Sequence, residues 1–376
     1  METERTLSAA QVLNPTQPMN ELSRRTMNTT NLDEFMSKLL HDMGAAATGA
    51  LVVIGDKLGL YKALAAGGPL SPAELAARTA TAERYVREWL AAQAAAGYVQ
   101  YQPEAGTYAM TAEQALALAE EQSPVFVPGA FEVIASMFKD EPKVSQAFRT
   151  GRGVGWHEHS PCLFRGIERF FRAGYAAHLV PDWLPALTGV REKLERGAKV
   201  ADVGCGHGAS TIVMAQAFPQ STFTGFDYHG PSVERARAAA REAGVEARCR
   251  FEVADAKSYP GTGYDLVAVF DCLHDMGDPV GVARYVRQSL DADGTWLIVE
   301  PYANDSVEGN LNPVGRVFYA ASTMICVPAS LSQEVGMALG AQAGEARLRQ
   351  VVTAGGFSRF RRATATPFNL VLEARP

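Results

Sequence analysis

His274 is the residue whose type and position best suit acid–base chemistry in this chain. It follows the apolar run 264–270, which predicts a buried strand ending at Asp271. In an open α/β sheet, ligands bind beyond the carboxyl ends of the strands, and His274 is placed there. Because imidazole titrates near neutral pH, it is suited to removing a proton from a hydroxyl, a phenol or a thiol. The alternative is that His274 only caps the next helix or packs near a cofactor.

A glycine-rich turn is the second feature that could do chemistry. It lies between a predicted strand, 199–203, and a predicted helix that begins at Ser210. Glycines at alternate positions let the backbone turn sharply and let a ligand approach without a Cβ in the way. The following helix N-terminus adds N–H groups that point at the ligand. The turn, which predicts a cofactor cradle, contains Gly204, Cys205, Gly206 and Gly208.

Two kinds of cofactor fit this turn. It satisfies the dinucleotide pattern G-x-G-x-x-A, and Asp227 ends the next predicted strand, where a ribose-binding acid belongs. A nicotinamide cofactor must therefore be weighed. Against it, Asp202 before the glycines would repel a pyrophosphate but suits an ammonium group, directly or through water. Asp255 after the third strand suits the exocyclic amine of adenine, and the terminal strand pair is foreign to a dinucleotide fold.

At these positions the sequence resembles the class I S-adenosylmethionine-dependent methyltransferases. The matching segments are 202–208, 223–227 and 255–256, and the resemblance runs from about 197 to 376. It implies S-adenosylmethionine as cofactor, with its methionine part on the glycine turn, its ribose on Asp227 and its adenine at Asp255 and Ala256. The cofactor-binding residues expected are Asp202, Gly204, Cys205, Gly206, Gly208, Asp227, Tyr228, Asp255, Ala256 and Asp271.

The segment 273–278 narrows the resemblance to small-molecule O-methyltransferases, which carry Leu-His-Asp-Trp-x-Asp and a winged-helix dimerisation domain ahead of the catalytic one. The resemblance implies that His274 is the general base and that Glu300, which ends the fifth strand, orients it. The reaction implied is in-line displacement at a sulfonium methyl. Two positions differ from the family pattern. Met276 stands in place of the tryptophan, and the region 331–345 shows no clear counterpart of the family's second glutamate.

The elements that must position these residues form an alternating strand and helix pattern from residue 197. The last two predicted strands are joined without a helix, which indicates an antiparallel hairpin. The expected fold class is α/β, with a Rossmann-like, mostly parallel seven-stranded sheet that ends in an antiparallel hairpin and follows a mainly helical winged-helix domain. The predicted strands are 199–203, 222–227, 249–253, 264–270, 295–300, about 358–364 and about 368–374.

The domains expected are a mobile arm at 1–31, a helical dimerisation and winged-helix domain at 32–121, a helical connector and substrate lid at 122–196, and the S-adenosylmethionine-binding domain at 197–376. Residues 45–58 are apolar nearly all round, so this helix needs a cover, and we expect a homodimer through it. DNA binding is the alternative for the winged helix. Its predicted recognition helix, however, pairs Arg84 and Arg87 with Glu83 and Glu88, whereas a DNA-reading face should be net basic.

The loop 151–160 and the apolar segment 317–326 are expected to cover the site. His157, His159 and Cys162 could be read as a metal site, but a pocket wall is the preferred interpretation, and no metal cofactor is predicted. Apolar and aromatic walls would favour a small organic acceptor. The substrate contacts expected are Trp156, His157, His159, Tyr175, Tyr319 and Met324.

Composition limits the remaining function classes. The 376 residues carry a net charge of −6, which gives no overall attraction to nucleic acid or to an anionic membrane. The five cysteines show no paired spacing, which indicates reduced thiols and a cytoplasmic protein. The polar N-terminus is unlike a signal peptide, and no uncharged apolar run is long enough to predict a membrane span.

Overall fold

The computed structural model describes residues 28–376, with the side chain of Thr29 excepted. The chain divides into two compact units, Met1–Ala119 and Glu120–Pro376. Of the predicted arm 1–31, only the last four residues lie in the described part, and they belong to the start of a helix.

The first unit is mainly helical and carries one small hairpin. Its elements in chain order are α1 (Thr29–Lys57), α2 (Leu60–Gly67), α3 (Pro72–Thr79), α4 (Glu83–Ala95), β1 (Gln100–Gln102), β2 (Thr107–Ala109) and α5 (Ala112–Leu118). A capping box opens α3, where Ser71 and Glu74 each bond the backbone N–H of the other. The hairpin pairs β1 with β2 antiparallel. These elements form the predicted helical and winged arrangement.

Helix α1 packs one side on its own unit and leaves an apolar side exposed. The indole of Trp89 on α4 donates a hydrogen bond of 2.9 Å to the carbonyl of Leu51. At Gly55 a Cβ would come within 3.0 Å of this indole, so the close approach of the two helices requires glycine there. The large apolar side chains of α1 and its C-cap that remain exposed are Phe35, Met36, Leu40, Met43, Ile54 and Leu58.

The second unit is built on a seven-stranded sheet with helices on both faces. Its helices are α6 (Pro128–Thr150), α7 (Cys162–His178), α8 (Val190–Arg196), α9 (Ala209–Ala217), α10 (Gly230–Glu242), α11 (Pro279–Ser289), α12 (Pro313–Ala321), α13 (Val327–Leu331) and α14 (Gly344–Ala354). Its strands are β3 (Lys199–Val203), β4 (Thr222–Asp227), β5 (Cys249–Val253), β6 (Tyr264–Phe270), β7 (Leu290–Pro301), β8 (Arg359–Ala365) and β9 (Asn369–Arg375).

The strand order across the sheet is β5-β4-β3-β6-β7-β9-β8. Strands β3 to β7 are parallel, whereas β9 runs antiparallel to both β7 and β8. The predicted fold class is therefore confirmed, including the closing hairpin. The chief difference is β7, which begins at Leu290 rather than at 295. From β3 the chain adds β4 and β5 on one side of the sheet and then β6 and β7 on the other side. The direction of the connections therefore switches between β3 and β6, and ligand crevices form at such a point.

The central strand β6 shows why the sheet is buried on both sides. Its residues 266, 268 and 270 belong to one hydrophobic cluster, and residues 267 and 269 belong to another. Because side chains alternate across a strand, the two clusters lie on opposite faces. This explains the continuous apolar run of β6, which is typical of a parallel strand covered by helices.

Within residues 28–376, one helical stretch, Pro313–Leu331, is long and apolar enough to cross a membrane by length and composition, as is the bent pair Thr30–Lys57 and Leu60–Gly67. Within Pro313–Leu331, 44% of the most apolar window is buried inside the protein. The core helices of globular proteins can have the same length and apolar composition.

Candidate active site

A cavity of about 290 Å³ opens beyond the carboxyl ends of β3, β4 and β6. Its floor is the glycine turn and the strand ends, and its other walls come from α6, α7 and the segment 313–331. Every residue of its wall belongs to the second unit. The wall contains His274, Asp275, Cys326, Asp271, Tyr175 and Trp156.

His274 sits in a one-turn helix, Leu273–Asp275, directly after β6. It is 3% exposed, and its Nδ1 is hydrogen-bonded to Oε2 of Glu300 at the end of β7. The other oxygen of Glu300 accepts the backbone N–H of Leu273 at 2.9 Å. The neighbouring strand ends β6 and β7 thus hold the ring through one buried carboxylate. This fixes a proton on Nδ1 and leaves Nε2 as the ring nitrogen that can exchange a proton with a substrate.

Asp275 and Cys326 flank this ring. Nε2 of His274 lies 3.2 Å from Oδ1 of Asp275, and this Oδ1 is buried without a hydrogen-bond partner. Burial lowers the pKa of His274, but Asp275 and Glu300 outweigh burial, so the pKa is raised well above its usual value. Burial raises the pKa of the Cys326 thiol to about 12, and Asp275 adds to this. The segment 317–326 was expected to cover the site, but the position of Cys326 beside His274 was not anticipated from the sequence.

Asp271 links the strand ends to the cavity wall. Its backbone is left-handed, with φ of 51°, and its carboxylate accepts hydrogen bonds of 3.0 Å from the hydroxyl of Tyr175 and from the amide of Asn369. Burial, followed by the charge of Glu300, raises its pKa to about 8. Tyr175, a predicted substrate contact, therefore both lines the cavity and holds Asp271.

The glycine turn has the backbone that a cradle needs. Gly204, Gly206 and Gly208 all have positive φ, at 79°, 52° and 80°. Gly206 belongs to the cavity wall, and a Cβ there would meet nothing within 4 Å. At Gly204 it would come within 2.6 Å of Sγ of Cys272, and at Gly208 within 2.5 Å of the ring of Phe251. The three glycines therefore serve different ends: room beside the cavity at 206, and close packing at 204 and 208.

Asp202 lies buried behind this turn and is not part of the cavity wall. Its Oδ2 accepts 2.6 Å hydrogen bonds from the hydroxyls of Ser210 and Thr211, whereas its Oδ1 is buried without a partner. Burial, opposed by these two hydroxyls, raises its pKa to about 6. A buried, unpaired carboxylate oxygen beside a glycine turn fits the ammonium of an amino-acid moiety, either directly or through water.

The acids at the next two strand ends also border the cavity. Asp227 accepts the N–H of Gly206 at 2.9 Å through Oδ2 and that of His229 at 2.8 Å through Oδ1. Each oxygen keeps a lone pair for a further donor such as a ribose hydroxyl. Burial raises the pKa of Asp227 despite these two N–H donors. Tyr228, Asp255 and Ala256 also lie on the wall. The residues present therefore fit S-adenosylmethionine.

Of the predicted substrate contacts in the loop 151–160, one lines the cavity and two do not. Trp156 lines the cavity, whereas His157 is exposed and His159 is buried, and neither of these histidines is part of its wall. Nδ1 of His159 pairs with Asp140 at 3.1 Å, so this histidine holds the loop to α6. Among the described residues, His157, His159 and Cys162 are not gathered into a cluster of metal-ligand type.

The segment 313–331 contributes a stripe of residues four apart to the wall: Val317, Ala321, Ile325 and Ala329. An α-helix would rotate this stripe away from the cavity, but the turn Ser322–Cys326 is a π-helix and takes up the difference. Tyr319 and Met324 lie off the stripe and outside the wall. Sequence analysis also missed Phe164, Met137 and Phe318, which line the cavity.

Comparisons with known proteins agree with this geometry. A family described as a methyltransferase domain matches residues 194–344, and one described as an Rv2258c-like winged HTH domain matches residues 46–120. The 27-O-demethylrifamycin SV methyltransferase of Amycolatopsis mediterranei is 37% identical over 103 residues, which cover 27% of this chain and 38% of that protein. The matched stretch spans less than half the length of each curated relative compared.

Solved structures share the whole fold. A putative O-methyltransferase from Nostoc punctiforme is 21% identical, with a TM-score of 0.67 over 90% of this chain and 98% of that one. The mitomycin 7-O-methyltransferase MmcR is 19% identical, with a TM-score of 0.67 over 93% and 100%. At the level of the matched domain, the predicted family, enzyme class and cofactor are confirmed. The chain therefore joins a winged helix-turn-helix domain to a methyltransferase domain.

Proposed function

We propose that this protein transfers a methyl group from S-adenosylmethionine to a small molecule, at a hydroxyl or phenol or, as the second choice, a thiol, with His274 as general base. The observation that carries the proposal is the ring of His274 on the cavity wall. Its Nδ1 is anchored by Glu300. The glycine turn that suits the cofactor borders the same cavity.

The cofactor is assigned to the floor of the cavity. The methionine part would lie on Gly204, Cys205 and Gly206, with Asp202 behind them for the ammonium. Asp227 and Tyr228 would meet the ribose, and Asp255 with Ala256 the adenine. Asp271 also borders this floor. When bound, S-adenosylmethionine supplies an activated methyl group and a neutral leaving group.

The chain itself must align the acceptor and manage its proton. The acceptor hydroxyl would give its proton to Nε2 in the fraction of His274 that is neutral, because Nδ1 keeps its own proton, which it donates to Glu300. Since the pKa of His274 is raised, this fraction, and with it turnover, should grow as the pH rises. The positive charge that forms on the ring would be stabilised by Glu300 and by Asp275. Glu300 acts through the histidine, since its two oxygens hold Nδ1 of His274 and the backbone N–H of Leu273, so we assign it a positioning role.

The cavity wall favours an apolar acceptor. Aromatic and aliphatic side chains dominate it, including Trp156, Phe164, Phe171, Phe318 and Ile325, and no lysine or arginine belongs to it. Such a wall binds an aromatic or polycyclic body through the hydrophobic effect. Because the wall has no lysine or arginine, we expect acceptors without a carboxylate or phosphate.

The first unit is assigned to dimerisation, in a cytoplasmic enzyme. The exposed apolar side of α1 supports a homodimer. On α4, which would be the recognition helix, Arg84 bonds Glu88 and Arg87 bonds Glu83. These pairs neutralise the basic side chains on the helix itself, which supports a structural role over DNA binding.

Three measurements test the proposal against its alternatives. Calorimetry with S-adenosylhomocysteine and with NAD separates a methyltransferase from a nicotinamide oxidoreductase, and we expect binding of the first alone. Turnover with S-adenosylmethionine over panels of neutral phenols, thiols and amines then identifies the acceptor. Salt-dependent DNA binding without turnover on any panel would instead support a winged-helix regulator.

A further inference from the structure

Three side chains of metal-ligand type meet on the cavity wall. The ligand atoms of His274, Asp275 and Cys326 all lie within 4.8 Å of one another. The first two belong to the one-turn helix after β6, and Cys326 ends the π-helical turn in the segment 313–331. From the sequence, a metal site could be considered only at the loop 151–162. No sequence pattern indicates that residue 326 lies close to residues 274 and 275 in the fold.

The spacing of these atoms suits one metal ion. In a tetrahedral zinc site, nitrogen and oxygen ligands about 2.0–2.1 Å from the metal lie roughly 3.4 Å apart. The distance from Nε2 of His274 to Oδ1 of Asp275 is 3.2 Å. This Oδ1 is buried and makes no hydrogen bond of good geometry, so it can still ligate a cation that Nε2 also contacts.

A second carboxylate, that of Glu300, is hydrogen-bonded to the ring nitrogen of His274 that would not face the metal. Metal-ligating histidines usually have such a hydrogen bond. Glu300, 2% exposed, holds Nδ1 of His274 with one oxygen and the N–H of Leu273 with the other. A carboxylate on the far ring nitrogen fixes the tautomer and makes Nε2 a better ligand. The His274 ring is therefore already oriented for a metal at Nε2.

We propose that His274, Asp275 and Cys326 form a binding site for Zn²⁺, with the fourth ligand position open to the cavity. One nitrogen, one oxygen and one sulfur ligand match zinc, which is borderline soft, and do not match magnesium or calcium, which prefer oxygen alone. The other acidic group of the described residues, Asp265, Asp291 and Asp293, offers only oxygen ligands and includes exposed residues, so it does not compete as a zinc site.

The site has a consequence for catalysis, and this part rests on the proposed function. Nε2 of His274 cannot hold a metal and accept the acceptor's proton at once. Zinc binding, with loss of the thiol proton of Cys326 to solvent, would therefore block the base. We expect Zn²⁺ to inhibit methyl transfer reversibly, at the active site itself.

Cobalt provides a readout that needs no turnover. We expect the metal-free, untagged chain to bind one Co²⁺, with visible bands of a tetrahedral ion and a near-ultraviolet thiolate-to-cobalt band, and Zn²⁺ to displace it. Cys326→Ser should abolish the thiolate band, whereas Cys249→Ser, at a buried cysteine outside the cavity wall, should keep it. Glu300→Gln should weaken zinc binding by about 10- to 100-fold.

The outcomes separate this site from the proposed function. Absence of cobalt or zinc binding at micromolar metal, or a thiolate band that survives in Cys326→Ser, overturns the site whatever the turnover shows. Zinc inhibition that is reversed by a chelator and lost in Cys326→Ser supports both the site and its consequence. If the cobalt spectrum changes in both Cys326→Ser and His274→Ala and turnover is unaffected by metal, the site stands and the base role of His274 is wrong; a spectrum that is unchanged in His274→Ala overturns the site.

Discussion

Glu300 holds Nδ1 of His274 from the neighbouring strand end and bonds the backbone next to it with its second oxygen. A single buried carboxylate thus fixes both the tautomer of the ring and the turn that carries it. If the ring is the base, this arrangement predicts that the two residues affect turnover in different ways.

His274→Ala removes the base and should lower kcat by about 10²- to 10⁴-fold, the usual contribution of a general base. Binding of S-adenosylhomocysteine should change little, because the side chains around the ring, Glu300, Asp275 and Cys326, are not among those assigned to the cofactor. Turnover with labelled S-adenosylmethionine and calorimetry measure the two effects. Unchanged turnover would remove the base role and leave His274 a packing residue.

Glu300→Gln should lower kcat with a smaller change in KM, because one amide oxygen cannot serve both Leu273 and His274. Glu373→Gln is the matched control. Glu373 is equally buried, accepts from Thr188 and pairs with Arg361, far along β9 from the cavity wall. We expect both variants to lose stability, by about 1–3 kcal/mol. A similar loss of kcat in both would show that the effect is structural.

Alanine substitutions at two positions of the glycine turn should have different effects. We expect the substitution at Gly206 to weaken cofactor binding and the one at Gly204 to lower stability. At Gly206 a Cβ meets nothing within 4 Å, so Gly206→Ala should lose only the roughly 1–2 kcal/mol of stability that a left-handed backbone costs a residue with a Cβ. It should nevertheless weaken S-adenosylhomocysteine binding. At Gly204 a Cβ also strikes Cys272, so Gly204→Ala should unfold at lower denaturant. Cys272→Ala should recover part of that stability. Denaturant melts and calorimetry test the pair, and equal stability of the two alanine variants would contradict it.

Much of this arrangement can be read from sequence, because strands and glycine turns are determined by short-range patterns. The strands β3, β4, β5 and β6 have the predicted bounds, since each is an apolar run limited by turn residues. The approach of Cys326 to His274 could not be predicted, because it depends on how a separate segment folds over the sheet. Tyr319 and Met324 show the same limit: a π-helical turn changes which residues face the cavity.

Asp202 predicts a dependence of stability on pH. Its pKa is about 6 in the folded protein, above the ordinary value near 4, because burial disfavours the charge more than Ser210 and Thr211 stabilise it. The folded state therefore holds this proton more tightly than the unfolded state does. Its favourable contribution is complete below about pH 4 and is lost as the pH rises through about 6. The total change is of the order of 3 kcal/mol.

Asp202→Asn should therefore gain stability relative to the original chain between pH 4 and pH 7, because a neutral amide has no charge to bury. Its binding of S-adenosylhomocysteine should weaken, since the amide no longer balances an ammonium. Urea unfolding of both chains at several pH values measures the first effect. A stability difference that is independent of pH would show that the carboxyl does not titrate in this range.

The exposed side of α1 predicts the assembly state. Leu40 and Met43, which are 65% and 67% exposed, lie one turn apart on this helix. Burying such side chains against a second copy would gain roughly 1.5–3 kcal/mol each, whereas burying a glutamate without a partner is strongly unfavourable. We therefore expect a dimer by light scattering and a monomer for the Leu40→Glu, Met43→Glu double variant. Phe148→Glu, at a 74% exposed position on α6 in the other unit, is the control and should remain dimeric. A double variant that keeps the dimer mass would place the interface elsewhere, and a monomeric original chain would leave this side of α1 without a second copy to cover it.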